Sequence, residues 1–384
     1  MNFEFSDEQH QIRDQARSVL NDNCTTAVVR RVLEGEELYA AELWRQVVDL
    51  GWPATTIPEE YGGLGLSHLE LVVIAEELGR ACAPIPFASS VYLATEAILA
   101  AGSPEQKSTW LPKLATGEVI GTLAYAEGPG QTTPANLGTT LVNGKLSGCK
   151  STVADAEIAQ LMIVVVKSNI GDGASLCLCP CPYPYPYPLS STAAGSKIKC
   201  DHVNTIDPSL NHADVSFDAA DAELLGAEGE GWALLEKILD RAAILYAWEQ
   251  LGGAERCLEM AKDYSMQRYA FGRPVGSFQA IKHKLAELYV KNTLARSNGY
   301  FGAWALATNA SELPLAAATA RVGSTQAYYY ASKENIQTHG GMGYTWEFDC
   351  QFYYRRAKVL AVAIGSERLW QDKLISASDI ELAV

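Results

Sequence analysis

The sequence has no long apolar run and no excess of positive charge. Its longest apolar stretches, such as residues 161–166, are far shorter than the roughly 20 residues that a membrane-spanning helix needs. The chain has 30 Lys and Arg against 45 Asp and Glu, a formal net charge of −15 at pH 7, whereas a general nucleic-acid surface needs densely clustered basic residues. We therefore predict no membrane segment and no nucleic-acid partner.

Cysteine is scarce, with nine residues in 384, and most of them lie singly along the chain. This usage is typical of free thiols in a reducing compartment. The first 20 residues also lack the basic segment and apolar run of a secretory signal. We therefore expect a cytoplasmic protein.

The exception is CLCPC, in which Cys177, Cys179 and Cys181 alternate with other residues before a Pro- and Tyr-rich stretch. A strand would place the three thiols on one face, about 6.6 Å apart along the chain. Zinc sites instead use CxxC-type turns with further ligands elsewhere. We predict no metal site here and interpret the segment as an edge strand or a loop.

The pattern of apolar and turn residues divides the chain into three parts. Residues 1–118 have helical spacing and open with a capping-box pattern at Ser6 and Gln9. Residues 119–227 contain short β-type runs separated by turn clusters, and residues 228–384 are helical again. We predict an α+β protein with a helical N-terminal domain, a central β domain and a C-terminal helical bundle.

Two segments of the last part contain residues suited to an anionic ligand. Arg268 and Arg273 flank Phe271 and Gly272 just before a predicted helix, which combines cationic and aromatic side chains. The second segment is THGGMGY, whose glycines allow close approach of a ligand to backbone N–H groups. Such a pair of segments suits a pyrophosphate that carries a ring.

The chain resembles the acyl-CoA dehydrogenase family in five segments that occur in the family's order. They are FSDEQHQIRDQAR, IPEEYGGLGL, EELGRACAPIPF, WLPKLATGEVIGTLAYAE and QTHGGMGYTWE. The resemblance covers nearly the whole chain. It implies a helical N-terminal domain, a central β-barrel-like domain and a C-terminal four-helix bundle.

The resemblance also implies FAD as cofactor, an acyl-CoA thioester as substrate, electron-transfer flavoprotein as electron acceptor, and a homo- or hetero-oligomer, either a dimer or a tetramer. The residues expected to contact the ADP portion of FAD from one subunit are Arg268, Phe271 and Gln279. Those expected to contact it from the neighbouring subunit are Gln337, Gly340 and Gly341. Those expected to line the flavin ring are Tyr125, Ala126 and Glu127.

Members of the family remove an α-proton from the thioester with a glutamate that directly precedes a Gly-Thr pair. Gly365 and Ser366 match that pair, so Ile364 occupies the position of the base and cannot accept a proton. Some relatives instead carry the base as a glutamate before an arginine on the first long helix after the β domain. The matching residues here are Asp240 and Arg241, and Asp240 is the preferred candidate.

Two other carboxylates compete with Asp240. Glu367 lies three residues beyond Ile364, and Glu249 lies nine residues beyond Asp240. At about 100° per residue, Glu249 would face the opposite side of the helix from Asp240. A solvated or ion-paired structural role is the better interpretation of Glu249 and Glu367.

The sequence also departs from the family around the flavin. Thr152 and Ala154 replace a Trp and a Thr, and Ala126 lacks a hydroxyl. These changes resemble a divergent bacterial subgroup in which some members pair as unlike subunits. Two alternatives to a dehydrogenase therefore stay open: a catalytically silent subunit that completes the FAD site of an unlike partner, and another flavin reaction, with oxygen.

Overall fold

The computed structural model describes residues 5–171, 173–181 and 196–378. The helices are α1 (Asp7–Asn23), α2 (Thr26–Leu33), α3 (Ala41–Asp49), α4 (His68–Ala81), α5 (Glu96–Ala101), α6 (Pro104–Ala115), α7 (Gly231–Gln267), α8 (Gln279–Thr308), α9 (Leu313–His339), α10 (Cys350–Leu360) and α11 (Glu367–Ala377). A π-helix, Ala88–Thr95, runs directly into α5. Among the described residues, no helix is long and apolar enough to cross a membrane.

Local sequence signals explain where the N-terminal helices begin. Three of them, α1, α4 and α6, start with a capping box, in which the side chains of the N-cap serine and of the residue three positions on satisfy each other's backbone N–H groups. The pairs are Ser6 with Gln9, Ser67 with Glu70, and Ser103 with Gln106. The predicted start of α1 is thereby confirmed.

The described residues in the middle of the chain form one mixed sheet of eight strands. They are β1 (Gly121–Ala124), β2 (Thr140–Val142), β3 (Lys145–Ala154), β4 (Leu161–Lys167), β5 (Ala174–Pro180), β6 (Ile198–His202), β7 (His212–Asp221) and β8 (Glu223–Leu225). Their order is β6-β7-β3-β2-β4-β5-β8, and β1 pairs in parallel with β4. A short hairpin of β9 (Tyr269–Ala270) and β10 (Arg273–Pro274) lies apart from this sheet.

The interpretation of the cysteine-rich segment as an edge strand or loop was wrong for its first part. Strand β5, which contains Cys177 and Cys179, pairs with β4 on one side and with β8 on the other. Both thiols, together with Cys181, lie in the apolar core of the sheet. Burial raises the pKa of Cys177 above its ordinary value, so the residue packs as a neutral apolar group. The rest of the Pro- and Tyr-rich stretch, residues 182–195, lies outside the described residues.

The described residues form two compact units. The first contains those within 1–30, 67–83 and 243–384, and the second contains those within 31–66 and 84–242. Helix α7 contributes its residues up to 242 to the second unit and the remainder to the first. The division into domains at residues 118 and 227 stays a prediction.

The C-terminal part of the first unit is the expected helical bundle. Helix α9 packs against α8, α10 and α11. Leu288 of α8 is fully buried, whereas Ile281, about two turns earlier, is only partly buried. The start of α8 is therefore available to border a surface cavity.

Candidate functional site

A cavity of about 450 Å³ lies in the first unit, where the ends of α7 and α9 meet the start of α8. Its polar lining residues are Tyr264, Arg268, Thr338 and His339. The others are Val275, Ile281, Gly340, Gly341 and Met342. One cationic side chain, two glycines and an apolar wall are thus brought together by a single chain.

Arg268 is positioned by the hairpin that follows α7. Its backbone N–H donates to the carbonyl of Tyr264, and its carbonyl accepts from Val275 N, both at 2.8 Å. Among the described residues its guanidinium has no ion pair and no hydrogen-bond partner, which leaves its five donors for an anionic ligand.

The tip of the hairpin separates the other residues of the predicted cluster from the cavity. Phe271 and Gly272 have φ of 52° and 78°, as a two-residue type I′ turn requires. Phe271 is 95% exposed. Arg273 instead places its guanidinium over the ring of Phe278, 4.0 Å from the centroid.

The three glycines after α9 are required for different reasons. Gly340 has φ 60° and ψ −138°, a conformation that is almost exclusive to glycine. At Gly343, a Cβ would lie 2.5 Å from the carbonyl oxygen of Ile336. At Gly341 no heavy atom of the described residues lies within 4 Å of the Cβ position, and its φ is not left-handed. Packing and backbone conformation thus leave Gly341 unexplained, whereas close approach of a ligand in the cavity explains it.

The predicted ADP residues divide into two groups in the structure. Arg268, Gly340 and Gly341 line the one cavity. Phe271, Gln279 and Gln337 are exposed and do not line it. The expected division of these residues between two subunits stays a prediction.

The residues predicted to line the flavin ring follow β1 in the second unit. Tyr125 and Ala126 are half-buried, and the carbonyl of Ala126 accepts from Ser151 N at 2.9 Å. The next residue, Glu127, contacts the buried ammonium of Lys150 at 2.6 Å and accepts from Thr139 N at 3.1 Å. This pairing fixes the segment that carries Tyr125 and Ala126.

The charges of this pair affect each other's protonation. Burial opposes the ionised form of Glu127, but Lys150, Thr139 and the backbone N–H group of Gly138 outweigh it and hold the pKa of Glu127 below its ordinary value. Burial likewise lowers the pKa of Lys150, against the effect of Glu127. Sequence reasoning missed Lys150, because nothing local indicates that a lysine on a strand will be buried.

Thr152, at the position of the family's Trp, lies in a β-bulge of β3 opposite β7. Its φ is 52°, which is uncommon for a non-glycine residue. Its backbone N–H donates to Asp214 Oδ1 at 2.8 Å. A short, hydrogen-bonded turn residue therefore stands where relatives present a large aromatic ring.

Two residues lie near the expected base position. Ile364 is buried and apolar, and its carbonyl accepts from Trp370 Nε1 at 3.2 Å. Glu367 begins α11, and its Oε1 accepts from Gln326 Nε2 at 2.7 Å and from Gln371 Nε2 at 2.9 Å. Glu367 thus joins α11 to α9, as the structural interpretation expected.

Glu249 also has a structural partner. It is buried on α7, and its Oε1 lies 3.7 Å from Nη1 of the buried Arg356. The same guanidinium donates to the carbonyls of Cys82 and Ala83, at 3.2 and 3.3 Å, just after the end of α4. Arg356 therefore satisfies carbonyls at a helix C-terminus, and Glu249 balances its charge.

Asp240 lies on α7 within the second unit and is 4% exposed. Its neighbour Arg241 forms an ion pair with the buried Glu96 of α5, with Nε 2.7 Å from Oε2. This pair fixes the part of α7 that carries Asp240.

Solved structures share this fold. Butyryl-CoA dehydrogenase from Megasphaera elsdenii aligns with a TM-score of 0.88 at 23% identity, covering 98% of this chain and 99% of that one. A "Tcur3481-Tcur3483 steroid ACAD" aligns with a TM-score of 0.84 at 27% identity, over 96% and 97% of the two chains. The fold is thus that of the acyl-CoA-oxidising flavoproteins.

Sequence comparison gives the family. The model of the acyl-CoA dehydrogenase N-terminal domain matches residues 6–118, and that of the C-terminal domain matches residues 229–377. "Acyl-CoA dehydrogenase IpdE2" of Mycobacterium tuberculosis is 31% identical over 365 residues, which is 94% of each chain. The protein belongs to the acyl-CoA dehydrogenase family.

Members of this family are FAD-binding flavoproteins, and the residues of the cavity fit that cofactor. The guanidinium of Arg268 suits a pyrophosphate, the bare backbone at Gly341 allows close approach, and Val275 and Ile281 provide an apolar wall for a ring. FAD, when bound, supplies the redox chemistry, and the protein supplies its binding and orientation.

Proposed function

We propose that this protein catalyses the α,β-desaturation of an acyl-CoA thioester, with the cavity beside Arg268 and Gly341 holding the ADP portion of FAD. The observation that carries the proposal is that the guanidinium of Arg268, which has no partner among the described residues, lines the same cavity as a glycine that packing does not require. In a chain of this family, both features serve an anionic cofactor. Electron-transfer flavoprotein is the proposed electron acceptor.

We infer that Asp240 is the base that accepts the α-proton. It is a buried carboxylate at the position where some relatives keep their glutamate, and the Arg241–Glu96 pair fixes the helix segment around it. Ile364 has no titratable group, and Glu367 already accepts two side-chain amides. A positioned general base contributes about 10²–10⁴-fold to the rate of such a step.

The test is anaerobic reduction of the FAD-loaded protein by a panel of acyl-CoA thioesters, followed at the flavin absorbance maximum. Asp240→Asn should slow bleaching about 10²–10⁴-fold while leaving FAD binding unchanged. Asp240→Glu, which restores the family's residue type, should retain activity, and Glu367→Gln is the matched control that should bleach normally. Normal bleaching by Asp240→Asn would exclude Asp240 as the base.

A second candidate function is that of a silent subunit that completes the FAD site of an unlike partner. This function is favoured by a contrast between two parts of the site. The chain keeps the cavity of Arg268, but it has Ile364 at the base position and Thr152 in place of the aromatic ring. The similar "Tcur3481-Tcur3483 steroid ACAD" is named for two proteins and for a steroid, so the panel should include a steroid acyl-CoA.

The two functions predict different spectra. A dehydrogenase that is complete as a homo-oligomer binds FAD and is bleached by at least one thioester. A silent subunit binds FAD without bleaching until an unlike partner is added. Fast reoxidation of the reduced flavin in air would indicate a reaction with oxygen instead. Absence of FAD binding both by the protein alone and in the presence of an unlike partner would contradict both functions.

A further inference from the structure

One polar residue of the cavity, His339, was not among the predicted site residues, and its ring orientation is fixed from three sides. Its Nδ1 lies 2.9 Å from the carbonyl oxygen of Asn335, one turn earlier in α9. One ring face packs on Tyr264, with centroids 4.2 Å apart and planes 30° apart. Phe348 packs edge-on at 5.8 Å. The ring therefore has little rotational freedom.

These contacts determine which nitrogen faces the ligand. A carbonyl oxygen is an acceptor, so Nδ1 carries the hydrogen and Nε2 carries a lone pair in the neutral ring. Nε2 has no hydrogen-bond partner among the described residues, and His339 lines the cavity. Burial lowers the pKa of His339 below its ordinary value of 6.5, against the smaller effect of Asn335, so the ring is neutral at pH 7.

We propose that His339, through Nε2, accepts a hydrogen bond from the nucleotide portion of FAD, and that this bond makes cofactor retention sensitive to acid. The inference rests on the proposed cofactor cavity. The ADP portion offers two kinds of donor, the amino group of adenine and the hydroxyls of its ribose. The cavity provides one guanidinium for the phosphates and one lone-pair acceptor for such a donor.

The other groups around His339 determine the sign of the pH effect. The titratable residues that line the cavity are Tyr264 of α7 and Arg268, directly after α7, whereas α8 and the segment after the hairpin contribute the apolar Ile281 and Val275. From α9 itself the neighbour is the neutral Thr338. Protonation removes the lone pair of Nε2 and adds a second positive charge near Arg268. An acceptor role therefore predicts weaker binding on acidification, whereas a phosphate-binding role predicts tighter binding.

The experiment compares the full-length protein with His339→Phe and His339→Gln. The Phe variant keeps an aromatic ring against Tyr264 but has no acceptor, and the Gln variant keeps an acceptor that does not titrate. We expect His339→Phe to raise the Kd for ADP about 3- to 10-fold at pH 7.5, the effect of losing one neutral hydrogen bond. His339→Gln should recover part of that affinity. Protonation of the terminal phosphate of ADP weakens binding to all three proteins between pH 7.5 and 5.5, so both variants should show a smaller fall in affinity than the wild type in that range.

Nucleotide analogues identify the donor. If the adenine amino group is bound, IDP should bind wild type and His339→Phe equally. If the ribose is bound, the difference should vanish with 2′,3′-dideoxy-ADP. Thermal unfolding of the ligand-free proteins measures how much stability each variant loses with the hydrogen bond to Asn335. This loss of stability can then be distinguished from the change in nucleotide affinity.

Two results would overturn the inference while leaving the cofactor site intact: equal ADP affinity of wild type and His339→Phe, or wild-type affinity that is constant or rises toward pH 5.5. If the wild type binds neither ADP nor FAD, the proposed cofactor site itself is wrong.

Discussion

Changing Glu127 to Gln should destabilise the second unit, because it leaves a buried ammonium without its counter-charge. The Nζ atom of Lys150 lies 2.6 Å from Glu127 Oε1, and the side chain of Lys150 is 0% exposed. Removal of one partner of a buried pair typically destabilises by about 3–5 kcal/mol. Gln keeps one acceptor oxygen, so we expect about 2–4 kcal/mol.

This loss is large enough to measure by calorimetry. At about 2.1 cal/mol/K per residue, a cooperative unit of about 200 residues loses roughly 2.4 °C of Tm per kcal/mol, and the second unit has about that size. The expected shift in Tm is therefore about 5–10 °C. Lys150→Met alone should also destabilise, since it leaves the carboxylate of Glu127 with only backbone donors.

A double-mutant cycle distinguishes charge pairing from loss of packing. In a protein that already carries Lys150→Met, Glu127→Gln should lower Tm much less than it does in the wild type, because no buried ammonium remains. If the double variant is as unstable as the sum of the two single variants, the pair contributes no coupling and the reasoning is refuted.

The pH dependence has a definite sign. The pKa of Glu127 is lowered on folding, so its contribution is complete above the unfolded value of about 4.3 and is lost as the pH falls through the folded pKa. The pKa of Lys150 is also lowered. The unfolded state therefore binds more protons between the folded pKa and the unfolded value of about 10.4, so stability should rise with pH in that window. The free energy of unfolding of the wild type should therefore depend on pH in both windows in a way that the double variant, which lacks both groups, does not show.

The remaining predictions concern the cavity glycines and the buried arginine. Gly341→Ala should unfold at the wild-type temperature but bind FAD less tightly, because its Cβ would occupy space in the cavity without contacting other protein atoms. The matched variant Gly343→Ala should instead have a lower Tm, since its Cβ would lie 2.5 Å from a carbonyl oxygen. Equal FAD affinity of Gly341→Ala and wild type would contradict the site. Arg356→Met should destabilise by about 3–5 kcal/mol, measured by urea unfolding, because it leaves Glu249 buried without its cation. Adding Glu249→Gln should recover part of that loss, and no recovery would refute the pairing.

Much of the fold could be predicted because it depends on short-range signals. The capping box at Ser6 joins a side chain to a backbone N–H three residues away, so it is visible in the sequence. The loss of the usual base at Ile364 is likewise a property of one residue in a recognisable motif. The family, the order of helices and strands, and the cofactor were therefore predictable from the sequence.

The exact site could not be predicted in the same way. The composition of the segment gives no reason to prefer Arg268 over Arg273 as the ligand-binding arginine. Only Arg268 lines the cavity, because the turn at Phe271 directs Arg273 onto the ring of Phe278. Cysteine spacing suggested an edge strand, whereas pairing with β8 makes β5 internal. These outcomes depend on which distant segments meet.

By itself, the sequence determined the family and the cofactor, since both depend on residues in consecutive motifs. Only the tertiary structure decided that Lys150 is buried against Glu127, 23 residues away, and that Tyr264 of α7 stacks on His339 of α9. The physical reason is that hydrogen bonds within a turn are set by neighbouring residues, whereas burial and ring packing are set by the close packing of whole helices and strands.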